Sequence, residues 1–125
     1  MDENAIGTQI VDCALKIHRA LGPGLLESVY QNVLAYELRQ RKFHVDTEVE
    51  QPVFYEGIQF EFGFRLDLLV ENIVIIEVKS VEEVHPVHLK QLLTYLKLSK
   101  KKLGYLINFN EPIIKEGITR VVNGL

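Results

Sequence analysis

Cysteine is nearly absent from this chain. Cys13 stands alone among 125 residues, which excludes an internal disulfide and a cysteine-ligated metal cluster. No run approaches the roughly 20 consecutive apolar residues that span a bilayer. The opening stretch, Met1-Asp2-Glu3-Asn4-Ala5-Ile6-Gly7, is acidic and has neither the basic start nor the apolar centre of a secretory signal. A cytoplasmic protein with no membrane association is therefore the expectation. Excess positive charge is missing too: the net charge is −3, whereas strong nucleic-acid binders are commonly basic. Two local basic clusters exist, Arg39/Arg41/Lys42 and Lys97/Lys100/Lys101/Lys102, where cations at helix ends favour the dipole. Contact with nucleic acid is thus expected to be weak or transient rather than a tight coating. There is no internal repeat, linker or low-complexity segment.

What is present suits one domain over residues 1–125. Apolar content is 47% and charged content 25%, ordinary for a globular chain long enough to bury a core without staples. Ile6, Ile10, Cys13/Ala14, Ile17 and Leu21 follow a 3.6-residue period and predict a helix over 3–21. Gly22-Pro23-Gly24 breaks it. A second helix is expected over 25–41, with Leu26, Val29, Tyr30, Val33, Leu34 and Leu38 apolar. From Val45 to Tyr55 the pattern alternates, and Pro52 marks an edge or a bulge. After the turn signal Glu56-Gly57, a half-exposed strand runs from Ile58 through Val70. Glu71-Asn72 turns into the β-branched run Ile73 to Lys79, a central strand covered on both faces. A third helix spans 86–99 with Pro86 in its first turn. A strand over 102–109 and a short final one within 117–122 follow. The order predicts a layered α/β domain with a mixed sheet.

Charge sits inside the apolar run. Arg65-Leu-Asp67-Leu-Leu-Val-Glu-Asn-Ile-Val-Ile-Ile-Glu77-Val78-Lys79 places ionised groups among strands that should be buried. Such groups are costly unless they are paired or bind a metal. Carboxylate oxygens suit Mg²⁺ or Mn²⁺, and a nearby Lys can orient water or stabilise developing negative charge. Glu77 and Lys79, two apart, share a strand face; Arg65 and Asp67 share one on the preceding strand. Whether the two acids meet depends on the turn. A two-residue loop would pair Val70 with Ile73 and turn Glu77 away from Asp67. A shared site therefore predicts an odd-length loop or a β-bulge.

Helical positions add candidates. At about 100° per residue, Glu27 projects at the edge of the second helix's apolar arc and Glu37 nearer its centre. Either contacts a metal or pairs with Arg65 or Lys79. On the third helix His88, Gln91 and Tyr95 share one face. His85 and His88 lack a third ligand for zinc. His18 and His44 are taken as surface or structural, and Tyr30, the aromatic residues Phe60 to Phe64 and Tyr105 as core.

Taken together, these residues resemble a known group. Gly24-Leu-Leu-Glu27-Ser-Val-Tyr30 is similar to the G-x-x-E-x-x-Y signature of the GxxExxY protein family. Asp67 with Glu77-Val78-Lys79 resembles the D…(D/E)-x-K core of the PD-(D/E)XK nuclease superfamily. His88-x-x-Gln91-Leu-Leu-Thr-Tyr95-Leu and Gly104-Tyr-Leu-Ile-Asn108-Phe109 extend the likeness from about Ile6 to Val122. The resemblance implies a restriction-endonuclease-like αβββαβ core, with a mixed sheet flanked by helices. It implies a divalent metal, Mg²⁺ or Mn²⁺, held by Asp67, Glu77 and the Val78 carbonyl. Lys79 would activate or position the attacking water. Glu27 matches the helical acid of exonuclease-like branches, and Gln91 their helix glutamine. Leu66 stands where the superfamily name has proline. Arg65, Gln91, His88 and Tyr95 are the candidate substrate contacts. The expected partner is nucleic acid, DNA ahead of RNA, with a homodimer or a protein partner as a further expectation. The alternative is a catalytically silent module in which the same cluster is an ion network neutralised by Lys79.

Overall fold

The computed structural model describes residues 1–125. Helix α1 covers Glu3–Leu21, and the Asp2 side chain caps it by accepting from the Ala5 amide at 2.8 Å. Ile6, Ile10, Cys13, Ala14 and Ile17 form its buried stripe, the period expected. Gly22, at φ 70°, ends the helix by donating its amide to the His18 carbonyl; glycine adopts that conformation without strain. Helix α2 covers Glu27–Gln40. It starts two residues later than expected because Leu25 and Leu26 remain in the connection behind Gly24, at φ 98°.

Strands β1 (Val45–Tyr55) and β2 (Ile58–Val70) form a hairpin about Glu56-Gly57. Strand β3 covers Val74–Lys79, helix α3 Pro86–Ser99, strand β4 Leu103–Asn108 and strand β5 Ile118–Val122. A short α4, Ile114–Gly117, precedes β5; a single turn leaves no periodic signal in sequence. The sheet order is β1-β2-β3-β4-β5, with β3 and β4 parallel and the other pairs antiparallel. Central β3 buries Val74, Ile75, Ile76 and Val78, as a strand covered on both faces should. Helices α1 and α2 cover one face through Ile10, Tyr30 and Leu34 against Ile76 and Ile107. Helix α3 covers the other through Leu92 and Leu96 against Leu69, Ile75 and Leu106.

Two details of register position the site. Val70 pairs with Val74, so the β2–β3 loop is Glu71-Asn72-Ile73, the odd length that the sequence argument required. Continuing past the Leu68–Ile76 pair, Asp67 falls opposite Glu77. The second detail corrects the sequence reading. Leu68 and Val70 pack under α1 and α2, yet Leu66 packs under α3 with Phe64 against the same cluster. Unbroken alternation would put Leu66 and Leu68 on one face. The alternation breaks where Glu48 of β1, at φ 51°, lies between the Thr47–Leu68 and Val49–Leu66 pairs. Arg65, between Phe64 and Leu66, therefore projects away from α3 and does not share a face with Asp67. Strand β2 also leaves β3 here, since their pairing covers only Leu68 to Val70. The rest of the hairpin extends as a two-stranded arm, in which β2 bulges where Glu61, Phe62 and Gly63 lie opposite Pro52 alone; because the arm leaves the layered body, Phe60 and Phe62 are exposed rather than core as expected.

Candidate active site

Where β2 and β3 part, side chains take over the ladder. The Asp67 amide donates to Glu77 Oε2 at 2.9 Å, and the Val78 amide donates to Asp67 Oδ2 at 2.9 Å. Each carboxylate is thus oriented by the backbone of the opposite strand. The two carboxyl groups also meet each other, through a side-chain hydrogen bond between Glu77 and Asp67. Glu77 is only 8% exposed. Burial, and next the negative charge of Asp67, push its pKa up to about 8; the Asp67 amide and Lys79 oppose the shift.

No cation closes this pair. The chain's ion pairs are Lys16–Glu37, Arg41–Asp12 and His44–Asp46. Lys79 shares the α3 face with Glu77, by the two-residue spacing, but forms no ion pair with either acid. Lys79 acts on Glu77 through its charge alone, which lowers that group's pKa against burial. Two adjacent carboxyl groups, one of them buried with its pKa raised by burial and by its neighbour's charge, are hard oxygen donors of the kind that fit a divalent cation. Magnesium is commonly held by one or two carboxylates with water completing its shell. No group of three or more His, Cys, Asp or Glu side chains is gathered to hold a metal, so Glu27 does not join Asp67 and Glu77 as a third clustered acid.

Glu27 instead lies exposed in the first turn of α2, lining a cleft with Gly24, Ser80 and Asn110. Tyr30, expected only as core, organises this segment. Its buried ring stacks on Phe109 with centroids 4.6 Å apart, and its hydroxyl donates to the Gly22 carbonyl while accepting from the Leu25 amide. Ser80 Oγ donates to the Leu25 carbonyl at 2.6 Å. The loop before Glu27 is thereby tied to the end of β3. Glu37 departs from both alternatives raised for it. It pairs with Lys16 at 3.0 Å, because its side of α2 meets α1 rather than the sheet.

Asn108 was passed over as part of a strand motif. It is fully buried; its Oδ1 accepts from the Val81 and Asn110 amides, and its Nδ2 donates to the Val81 carbonyl. The Phe109 amide donates to the Lys79 carbonyl at 2.9 Å. Together they fix the chain on either side of Ser80. The signal was available: Asn108 is the one amide side chain in an otherwise apolar Leu103–Phe109 run, and such a group must be hydrogen-bonded when buried.

Helix α3 brings three more of the expected residues to this side. Burial lowers the His88 pKa, helped by the positive charge of Lys79 and His85 and opposed by Glu27. Burial, then the charges of Glu77 and Asp67, raise that of Tyr95, whose ring stacks on Phe64 at 4.5 Å. Gln91 lies between them, exposed and free of side-chain hydrogen bonds. His85 and His88 are engaged in capping α3, the His85 amide donating to His88 Nδ1 at 3.1 Å. Of the basic clusters, Arg41 is held by Asp12 at 2.7 Å and Gln9 at 2.9 Å, and Arg39 by the Val45 carbonyl. No helix is long and apolar enough to cross a membrane.

A mixed five-stranded sheet flanked by helices, with an acid pair where the second and third strands diverge, is of the restriction-endonuclease-like α/β class. The family model of the PD-(D/E)XK nuclease superfamily matches residues 4–121, and the chain belongs to that superfamily. Its members generally use divalent metals and act on nucleic acid. No curated protein and no solved structure matches the chain significantly.

Proposed function

We propose that residues 1–125 act as a single cytoplasmic nuclease domain of the GxxExxY family. The reaction is hydrolysis of phosphodiester bonds, in DNA ahead of RNA. The observation that carries this reading is the Asp67–Glu77 pair, adjacent, part-buried and in no ion pair with a cation. Asp67, Glu77 and the Val78 carbonyl would hold Mg²⁺ or Mn²⁺, which when bound supplies charge neutralisation and a more acidic water. Lys79, on the same face, orients the nucleophile or stabilises charge developing on phosphate. Glu27, exposed in the neighbouring cleft, stands apart from the Asp67–Glu77 pair and is the candidate for a second ion. Gln91, His88 and Tyr95 line the approach for substrate. Arg65 is left out of that set because of the face it occupies. The GxxExxY assignment is supported by what Tyr30 does: one turn beyond Glu27, it anchors the loop that presents that acid.

The test is cleavage of linear and circular DNA, single-stranded DNA and RNA, with Mg²⁺, Mn²⁺ or EDTA. Glu77→Ala and Lys79→Ala proteins are purified identically beside the wild type. Metal-dependent cutting abolished in both variants is the expected result. Cutting that survives EDTA or Glu77→Ala would overturn the proposal.

A further inference from the structure

Helix α3 and the turn after it carry charge that the fold does not use. Lys90, Lys97, Lys100, Lys101 and Lys102 are five of the chain's 14 Lys and Arg, and no Asp or Glu stands between Pro86 and Asn110. Lys16 is the only lysine whose ammonium group has a partner within the chain. The other basic cluster behaves differently, because Arg39 and Arg41 are held by the Val45 carbonyl, Asp12 and Gln9. Attraction to the helix dipole accounts for Lys97, in the last turn. It does not account for Lys90, which lies in the second turn, away from the end where cations gain. Past the helix, the Lys100 amide already donates to the Lys97 carbonyl and the Lys101 amide to that of Leu96, so the side chains are not needed as caps. Like charges so close together repel. The cluster therefore costs stability and serves something outside the chain.

Helical spacing sets these lysines in line. At about 100° per residue, Lys90, Thr94 and Lys97 fall along the side of α3 opposite Leu92 and Leu96, and all three are exposed. Lys100 to Lys102 continue beyond the helix end. Next to this line comes Gln91, also exposed, and then Tyr95, whose ring stacks on that of Phe64, three residues before Asp67. The line thus starts beside the acid pair and runs away from it. From Lys90 to Lys101 it covers about 16 Å at 1.5 Å per residue, close to five base-pair steps of about 3.4 Å. The arm offers no such path: Glu48, Glu50, Glu56 and Glu61 stand against Arg65 alone, which repels phosphate.

We propose that the lysines of α3 form the track on which the nucleic-acid substrate lies, each meeting a backbone phosphate away from the scissile one. The track rests on the nuclease reading and names the face from which substrate reaches that site. Contacts of this kind position a strand without reading its sequence. They also reconcile a net charge of −3 with a nucleic-acid partner, because the positive charge is gathered on one helix.

Binding in EDTA tests the track apart from catalysis. The probes are a labelled DNA duplex, single-stranded DNA of the same length and an RNA duplex, each long enough to pass Lys101. Fluorescence anisotropy is read across KCl concentrations. Glutamine is also a good helix former, so Lys90→Gln/Lys97→Gln/Lys101→Gln should keep the fold. It should weaken duplex binding on the order of 100-fold near about 0.1 M salt and make the salt dependence shallower by about 2.7, at about 0.9 per phosphate contact. Lys97→Gln alone should make it shallower by about 0.9. Lys42→Gln, which removes the same charge from the other cluster, should change nothing. In Mg²⁺ the triple variant should raise KM and leave kcat close to wild type. A wild type that binds none of the probes would overturn the proposal, as would a triple variant that binds like wild type or a Lys42→Gln protein that loses as much as Lys97→Gln. Lysine-dependent attachment to phosphatidylserine vesicles tighter than to any nucleic acid would overturn it too. So would self-association through the lysines in place of nucleic-acid binding. Lysine-dependent binding without metal-dependent cutting supports the track and removes the catalytic reading; cutting by a protein whose binding ignores the lysines does the reverse.

Discussion

Burial and the charge of Asp67 raise the Glu77 pKa, and that shift has a consequence for stability. The Glu77 carboxyl is neutral up to about pH 8 in the folded protein, whereas in the unfolded chain it ionises in the ordinary carboxylate range. The folded state therefore holds a proton that the unfolded state has released across that window. Its stabilising contribution is complete below the ordinary range and is lost as pH rises through about 8. In EDTA, the thermal midpoint should fall between pH 5 and pH 8. Glu77→Gln should flatten that fall and leave the protein more stable than wild type above pH 8. A wild-type profile no steeper than that of Glu77→Gln would mean that burial and Asp67 do not perturb this carboxyl. Lys79→Ala bears on chemistry instead. If Lys79 stabilises charge in the transition state, its loss should lower kcat by about 10²- to 10³-fold with little change in thermal midpoint; single-turnover cleavage measures this.

At the scale of elements, the β2–β3 connection shows what pattern alone can carry. Periodicity located α1, the hairpin and the central strand, and the demand that two acids share a site predicted an odd loop. Glu71-Asn72-Ile73 meets that demand. The break of alternation at Asp67 was not readable, because it goes with a positive φ at Glu48, a residue with no glycine-like signal of its own. The Glu37–Lys16 pair was hidden for another reason: it depends on how α1 and α2 pack, which neither helix states alone. Tyr30 was readable as core but not as a tie, since a hydroxyl's partners are set by the fold of the loop. Tyr30→Phe keeps the stack on Phe109 and removes the bonds to Gly22 and Leu25. It should cost about 1 kcal/mol in urea unfolding. If the loop positions Glu27 for catalysis, cleavage should fall by more than the small loss of folded protein explains.

For the whole molecule, the acid pair couples folding, protonation and metal binding into one measurement. A divalent ion at Asp67 and Glu77 requires Glu77 ionised, so binding near neutral pH must expel the proton that burial retains. Calorimetric titration with Mg²⁺ or Mn²⁺ at pH 7, in two buffers of different ionisation heat, should report release of close to one proton per ion. Apparent affinity should rise by up to tenfold per pH unit below about pH 8 and level off above it. The same ion should raise the thermal midpoint most at high pH, where the metal-free acids repel; occupancy at 100 times Kd adds about 2.7 kcal/mol. Glu77→Gln removes the charge and the proton together, so it should abolish both the heat and the buffer dependence while leaving the fold intact. Binding without proton release would place the ion elsewhere, on groups already charged at pH 7. A wild type indifferent to both ions would leave the Asp67–Glu77 pair without a metal, and the nuclease reading would fall with it.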